Sequence, residues 1–175
     1  VGIAFGLLAK SAGIPSLIAW MMSFIVYAGA SQFVTVNMIT VGAAFGEMIL
    51  TTFILNLRHF LMTTSLSTRM DRQISKVEKS LLAFGVTDET FSVASLHKNP
   101  ILTKPYLIGL FFISFLSWNL STLIGLGLGS VVSENLSASM GIALYAMFIG
   151  LLIPAMRNSL AVSFVSICAI TIHLL

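Results

Sequence analysis

The sequence predicts an all-α fold, a polytopic membrane helical bundle with one broken helix and one re-entrant or half-helix segment. Three observations carry this reading. Of the 175 residues, 57% are hydrophobic and only 9% are charged, against about 25% charged in a typical soluble domain, and the mean hydropathy is +1.01. The apolar residues fall into runs near the length of a membrane crossing, separated by short polar stretches. Two of these runs are interrupted at their centres by small and polar residues.

The elements follow in chain order. Val1 to Ala9 is an apolar run closed by Lys10, with no basic stretch before it of the kind a cleavable signal peptide carries. Leu160 to Leu175 is also apolar and falls short of the roughly 20 residues of a full span. Both are expected to be partial spans at the ends of one transmembrane domain over 1–175. The stretch 14–45 is too long for one straight crossing and too short for two with a loop. Its middle, Ala28-Gly29-Ala30-Ser31-Gln32, predicts a broken helix. Residues 47–66 read as a span holding Asn56, Arg58 and His59 deep within it, and Arg69 to Ser80 as a polar loop.

Residues 81–96 place Thr87-Asp88-Glu89-Thr90 at the centre of an apolar stretch too short to span, which predicts a re-entrant segment or half-helix lining a cavity. His97 to Pro105, with Asn99-Pro100 and Lys104-Pro105, is a turn-rich connection. Spans are expected at 106–129 and 138–156, with a polar loop from Ser130 to Ser139 between them.

Charge placement orients the chain. If 14–45 crosses once and 81–96 re-enters, then Lys10, Lys98, Lys104, Arg157 and the basic residues of the 69–80 loop share one side. The positive-inside rule makes that side cytoplasmic, with Glu47 and Glu134 opposite. The net charge of +3 forms no basic groove with interleaved aromatics, so nucleic acid is not expected as a partner. A lone Cys168 gives neither an intrachain disulfide nor a thiolate cluster, and no metal site or cofactor is expected. Neither H-E-x-x-H nor G-x-S-x-G occurs, so no catalytic residues are assigned and an enzyme is not expected. The absence of G-x-x-x-x-G-K-[ST] excludes ATP use through a phosphate loop.

Ionisable groups within apolar spans cost about 2.5–3.5 kcal/mol each at a helix centre and are usually functional. Arg58 offers a planar guanidinium that could clamp a carboxylate, or could snorkel or hold a structural salt bridge. His59 points about 100° away from it on a helix and reads as a packing residue. Asp88 and Glu89 diverge in the same way, so at most one of them faces a solute path, where a buried carboxylate could couple a proton. Thr87 or Asp88 also fits as the cap of a helix beginning there. Gly29, Ser31 and Gln32, with Asn56, complete the candidate substrate-binding or coupling set, because broken helices expose backbone dipoles to charged solutes. There is a faint echo between Tyr27-Ala28-Gly29-Ala30-Ser31-Gln32-Phe33 and Phe84-Gly85-Val86-Thr87-Asp88-Glu89, both reading glycine, small, hydroxyl, polar within an apolar run. Repeated interruptions of this kind point to a site between two halves. Gly2/Gly6, Gly42/Gly46 and Gly125/Gly129 are G-x-x-x-G pairs suited to close helix contact.

The segments Gly2-Ile3-Ala4-Phe5-Gly6, Ala28-Gly29-Ala30-Ser31-Gln32-Phe33, Asn56-Leu57-Arg58-His59-Phe60-Leu61-Met62 and Thr87-Asp88-Glu89 resemble, in order and spacing, the AzlC/YgaZ family of bacterial branched-chain amino acid exporters. The resemblance implies a cell inner membrane subunit that exports valine, leucine, isoleucine and methionine. It also implies a small AzlD/YgaH-like membrane subunit as partner, beside the lipid bilayer and the amino-acid substrate. A proton gradient is the expected energy source. A passive channel and a non-transporting scaffold subunit remain the alternatives.

Overall fold

A computed structural model describes residues 1–129, 142–158 and 160–174. The expected polar loop from Ser130 to Ser139, with Glu134, lies outside the described residues. Those described are helical, with no strand and one isolated parallel bridge, Met70 to Leu102. The helices are α1 (Gly2–Ser11), α2 (Ser16–Met21) running into a π-turn (Met22–Val26), α3 (Gly29–Thr40), α4 (Phe45–Arg69), α5 (Lys76–Ala83), α6 (Asp88–Ser95), α7 (Lys104–Leu128), α8 (Ile142–Asn158) and α9 (Leu160–Leu174).

Among the described residues, α7 is the one helix long and apolar enough by itself to cross a membrane. Pro105 in its first turn costs no hydrogen bond, and it serves as the mast of the bundle. Beside it runs α1 in the same direction: a side chain on Gly2 would strike Ser121, one on Gly6 would strike the Thr122 carbonyl at 2.4 Å, and Gly129 lies against the Lys10 stem. Gly125 returns the contact, since a Cβ there would sit 2.3 Å from the Ile3 carbonyl. Two of the three G-x-x-x-G pairs thus serve helix contact. The third does not: Gly42 takes φ +70 in the turn before α4, and Gly46 faces open space.

The stretch 14–45 corrects the single crossing expected of it. Helix α2 and its π-turn descend antiparallel to α7, with Ser23 at Thr122 and Tyr27 at Ser114. Tyr27 then adopts φ 46, a left-handed helix end, and α3 climbs back. Its Phe33 and Val36 pack with Ala9, Ile14 and Leu126, beside the start of the same segment. Helix α4 descends the full bundle, with Ser31 at Asn56 and Leu66 packed with Leu102 and Leu107. The chain from 14 to 42 is therefore a hairpin that dips to mid-bundle and returns.

A second hairpin enters from the other end. Asp71 N–H donates to the Leu102 carbonyl at 3.1 Å and Leu102 N–H to the Arg69 carbonyl at 2.8 Å, so residues 70–102 leave and return at one point. The Arg69 guanidinium fans over the carbonyls of Ala94, Ser95, His97, Asn99 and Pro100, closing the base. Inside it α5 and α6 have 8 residues each, about 12 Å of rise apiece, or less than half of the roughly 30 Å hydrocarbon core.

This hairpin corrects two boundaries. The polar run to Ser80 is not all loop, because Ser75 caps α5 by accepting the Glu78 N–H while the Glu78 carboxylate accepts the Ser75 N–H. The stretch 81–96 is not one segment, because Phe84 to Thr87 breaks it. At the exposed base, the Lys104 ammonium donates to Glu78 at 2.5 Å and, with the Ser75 amide, holds that carboxyl down at about 2.

The two hairpins also move a charge. Lys10 stands at the Gly129 end of α7, opposite Arg69, Arg72, Lys76, Lys79, Lys98 and Lys104, and so does not share their side as expected. The expected spans 138–156 and 160–175 correspond, in the described residues, to α8 and α9.

The closeness of α1 to α7 gives a direct test. Gly6→Val must push two helix backbones apart and is expected to cost about 1–3 kcal/mol as overpacking, lowering the melting temperature in detergent, whereas Gly46→Val should leave it unchanged. Equal effects would refute the packing difference.

Candidate functional site

The two hairpin tips meet at mid-bundle. Tyr27 and Phe84, one at each tip, have ring centroids 5.9 Å apart, and both touch Phe115 of α7. Each tip has its own local reason to exist. At the first, the π-turn and left-handed Tyr27 end one helix and Gly29 begins the next, with the Trp118 ring 2.9 Å from where a Cβ on Gly29 would lie. At the second, Gly85 is needed because a side chain there would meet the Phe111 ring. Thr87 and Thr90 then cap α6 reciprocally: Thr87 N–H donates to Thr90 Oγ1 at 2.8 Å, and Thr90 Oγ1 also donates to the Gly85 carbonyl at 2.9 Å. The cap is Thr87, not Asp88.

Behind the tips lies a polar hub. Ser23 shares a hydrogen with Thr122 at 2.9 Å and accepts from Gln32 Nε2 at 3.0 Å and from Trp118 Nε1 at 3.2 Å. Gln32 Oε1 is buried without a partner among the described residues. Ser31 donates to Asn56 Oδ1 at 2.6 Å, tying α3 to α4. Ser31, Gln32 and Asn56 line an open cleft of about 740 Å³ along α3 and α4 whose other walls are largely apolar.

Arg58 and Asp88 face each other. Their charged atoms lie 2.9 Å apart, without the alignment of a hydrogen bond, and the side chains are 26% and 18% exposed. Arg58 also lies over the Phe148 ring of α8 at 5.1 Å. Helix geometry separates Asp88 from Glu89 by about 100°, and Glu89 points instead into a cavity of about 230 Å³ between the tips and α7. Val1 and Gly2 at the start of α1, Tyr27, Gly29, Thr87, and Ser114, Ser117, Trp118 and Ser121 of α7 line this cavity with it.

The candidates from sequence thus separate into three places: Gly29 with Glu89 in the cavity, Ser31 and Gln32 with Asn56 at the cleft, and Arg58 with Asp88 between hairpin and α4. The residues that sequence reasoning missed are Tyr27, Ser114, Ser117, Trp118 and Ser121. For the serines the signal was available in α7, where Ser114, Ser117 and Ser121 recur every three or four residues through an apolar span and mark one face. Among the described residues no group of three or more His, Cys, Asp or Glu could hold a metal ion.

The sequence matches the family described as AzlC protein over residues 1–132. The chain belongs to the AzlC family. Among curated proteins, this chain is similar to the inner membrane protein YgaZ of Escherichia coli (strain K12), at 36% identity over 126 residues, 70% of this chain and 51% of that protein. It is similar to the branched-chain amino acid transport protein AzlC of Bacillus subtilis (strain 168), at 33% over 96 residues, 53% of this chain and 36% of that protein. An uncharacterized membrane protein of Archaeoglobus fulgidus is 29% identical over 118 residues, 67% of this chain and 50% of that protein. The chain spans about half the length of these relatives, or less. No solved structure is significantly similar to it.

The Arg58–Asp88 pair joins a hairpin tip to α4, and each partner is costly alone. Arg58→Met and Asp88→Leu are each expected to destabilise by about 2 kcal/mol, less than a fully buried pair because both groups keep some solvent. The double variant should recover most of that loss. Melting curves in detergent check this, and additive losses in the double variant would contradict the pairing.

Proposed function

We propose that this chain is part of a membrane transport subunit that exports branched-chain amino acids, valine, leucine and isoleucine with methionine, driven by proton movement. The observation that carries the reading is the meeting of two half-helix hairpins from opposite ends of the bundle beside a small cavity that holds Glu89 and several hydroxyl side chains. Discontinuous helices at the membrane midplane are how many secondary transporters bind charged solutes while each hairpin gates one side. The relative named a branched-chain amino acid transport protein supports the substrate class.

In this reading the end bearing Arg69, Arg72, Lys76, Lys79, Lys98 and Lys104 is cytoplasmic by the positive-inside rule, and the chain is multi-pass in the inner membrane. The first hairpin enters from outside and the second from inside. The zwitterion sits between the tips, with its branched side chain toward the Tyr27, Phe84, Phe115 and Trp118 rings. Arg58 and Asp88 hold the inner hairpin against α4, and release of their pair accompanies opening on that side. A small AzlD/YgaH-like membrane subunit completes the transporter. Candidate substrate-binding or coupling residues are Gly29, Ser31, Gln32, Asn56, Arg58, Asp88 and Glu89.

Efflux of preloaded labelled valine tests this in cells expressing the full-length protein with its small subunit. Wild-type efflux should exceed that of empty cells and collapse with a protonophore, and Arg58→Ala and Asp88→Asn at matched abundance should each cut it at least tenfold. Efflux no faster than in empty cells would reject the amino-acid assignment, and efflux indifferent to the protonophore would favour a passive pore.

A further inference from the structure

We propose that the cavity between the hairpin tips is a primary-ammonium site, with Glu89 as its counter-charge and Tyr27, Trp118 and the α7 serines as its walls. The inference deepens the transport reading and rests on it only for the identity of the natural ligand. Three features of the cavity carry it.

The first is charge. Glu89 is half-buried and makes no ion pair or hydrogen bond among the described residues, no Lys, Arg or His side chain lines the cavity, and Val1 at its rim forms no ion pair with Glu89. The nearest guanidinium, Arg58, is engaged by Asp88. A carboxylate held away from bulk water without a partner favours a cation beside it.

The second is donor and acceptor balance. An ammonium brings three donors and no acceptor. The Tyr27 hydroxyl donates to Ser114 and the Ser121 hydroxyl donates to the Trp118 carbonyl, so both serines keep oxygen lone pairs to accept with. The Tyr27 and Trp118 rings, 6.4 Å apart and near-perpendicular, present the aromatic surface that attracts organic cations. A single carboxylate is a poor fit for Ca²⁺, which takes six to eight oxygen ligands, often several of them carboxylates.

The third is size. At about 230 Å³ the cavity falls below the roughly 300–1,000 Å³ typical of larger-ligand pockets, and it suits a compact amine headgroup.

A structural alternative for Glu89 exists, since a carboxylate in the first turn of α6 also complements the helix dipole. That role predicts no ligand selectivity, which separates the two. The full-length protein in detergent is melted with isobutylammonium chloride, isobutanol or sodium chloride at matched concentration, as wild type, Glu89→Gln and Glu89→Asp. The ammonium salt should raise the wild-type melting temperature above the other two additives. The rise should vanish in Glu89→Gln and return in part in Glu89→Asp. An equal rise with sodium chloride, or an undiminished rise in Glu89→Gln, would overturn the proposal.

Counterflow of labelled valine into vesicles then addresses the transport reading separately. Glu89→Gln should raise KM about tenfold or more, the worth of a charge-assisted hydrogen bond. It should also narrow the preference for valine over its 2-hydroxy analogue. An unchanged KM and preference would count against Glu89 as the ligand of the amino group. An ammonium-selective shift without any wild-type valine counterflow would uphold the site and reject the amino-acid assignment.

Discussion

A helix broken in an apolar environment must find partners for every backbone group that the break frees, because hydrocarbon offers none. Both hairpin tips are answers to that requirement. At the second tip the Thr87 and Thr90 side chains replace water as partners for the α6 amides and for the Gly85 carbonyl. At the first, the π-turn tightens into a left-handed Tyr27, whose N–H returns to the Met22 carbonyl at 3.4 Å and whose hydroxyl is anchored on Ser114. Ser23 gathers Gln32, Trp118 and Thr122 behind it. The second tip is satisfied by its own threonines, whereas the first leans on Ser114, Trp118 and Thr122 of α7 and depends on that helix.

This dependence explains why α1 and α7 are packed backbone to backbone. Lipid tails are as apolar as leucine, so helices in a membrane associate through close contact rather than exclusion from water. Gly2, Gly6 and Gly125 allow that contact, and α7 presents Ser114, Trp118 and Thr122 to the first hairpin and Phe111 and Phe115 to the second. The outer faces of α4 and α7, with Phe53, Phe60, Phe112 and Ile113 among many exposed apolar side chains, are suited to lipid. At the base of the second hairpin, Arg69 replaces a longer connection by binding five carbonyls at once, a task its forked guanidinium does better than a lysine.

Much of this was legible in the sequence, and the parts that were not have physical causes. The all-α class followed from composition and run length. The break at Gly29 and the charged centre at Asp88 stood out because polar residues in apolar runs are costly, and their faint mutual echo falls on the two tips. Direction was not legible: a segment of 32 residues that dips and returns has the same hydropathy as one that bends across, and what separates them is that Phe33 and Val36 share one core cluster with Ala9 and Ile14. Lys10 was misplaced for the same reason. Helix geometry makes Asp88 and Glu89 diverge whatever the fold, but which of them meets Arg58 depends on tertiary contact. The serine face of α7 was present in the spacing and was hidden by the strong hydropathy of the span around it.

The geometry links the fold to its use. Two hairpins of opposite origin share one cavity, and in the proposed transport reading a solute there is exposed to either side without any full-length helix having to move. Everything in this account rests on the two hairpins entering from opposite sides. The most direct measurement is side-specific labelling of single cysteines at positions 13, 43, 72 and 98 in a Cys168→Ser background, using a membrane-impermeant maleimide on intact cells and on inverted vesicles. The account predicts that 13 and 43 label from the outside and that 72 and 98 label from the inside. Labelling of 13 and 43 from opposite sides would mean that the first segment crosses, and would contradict it.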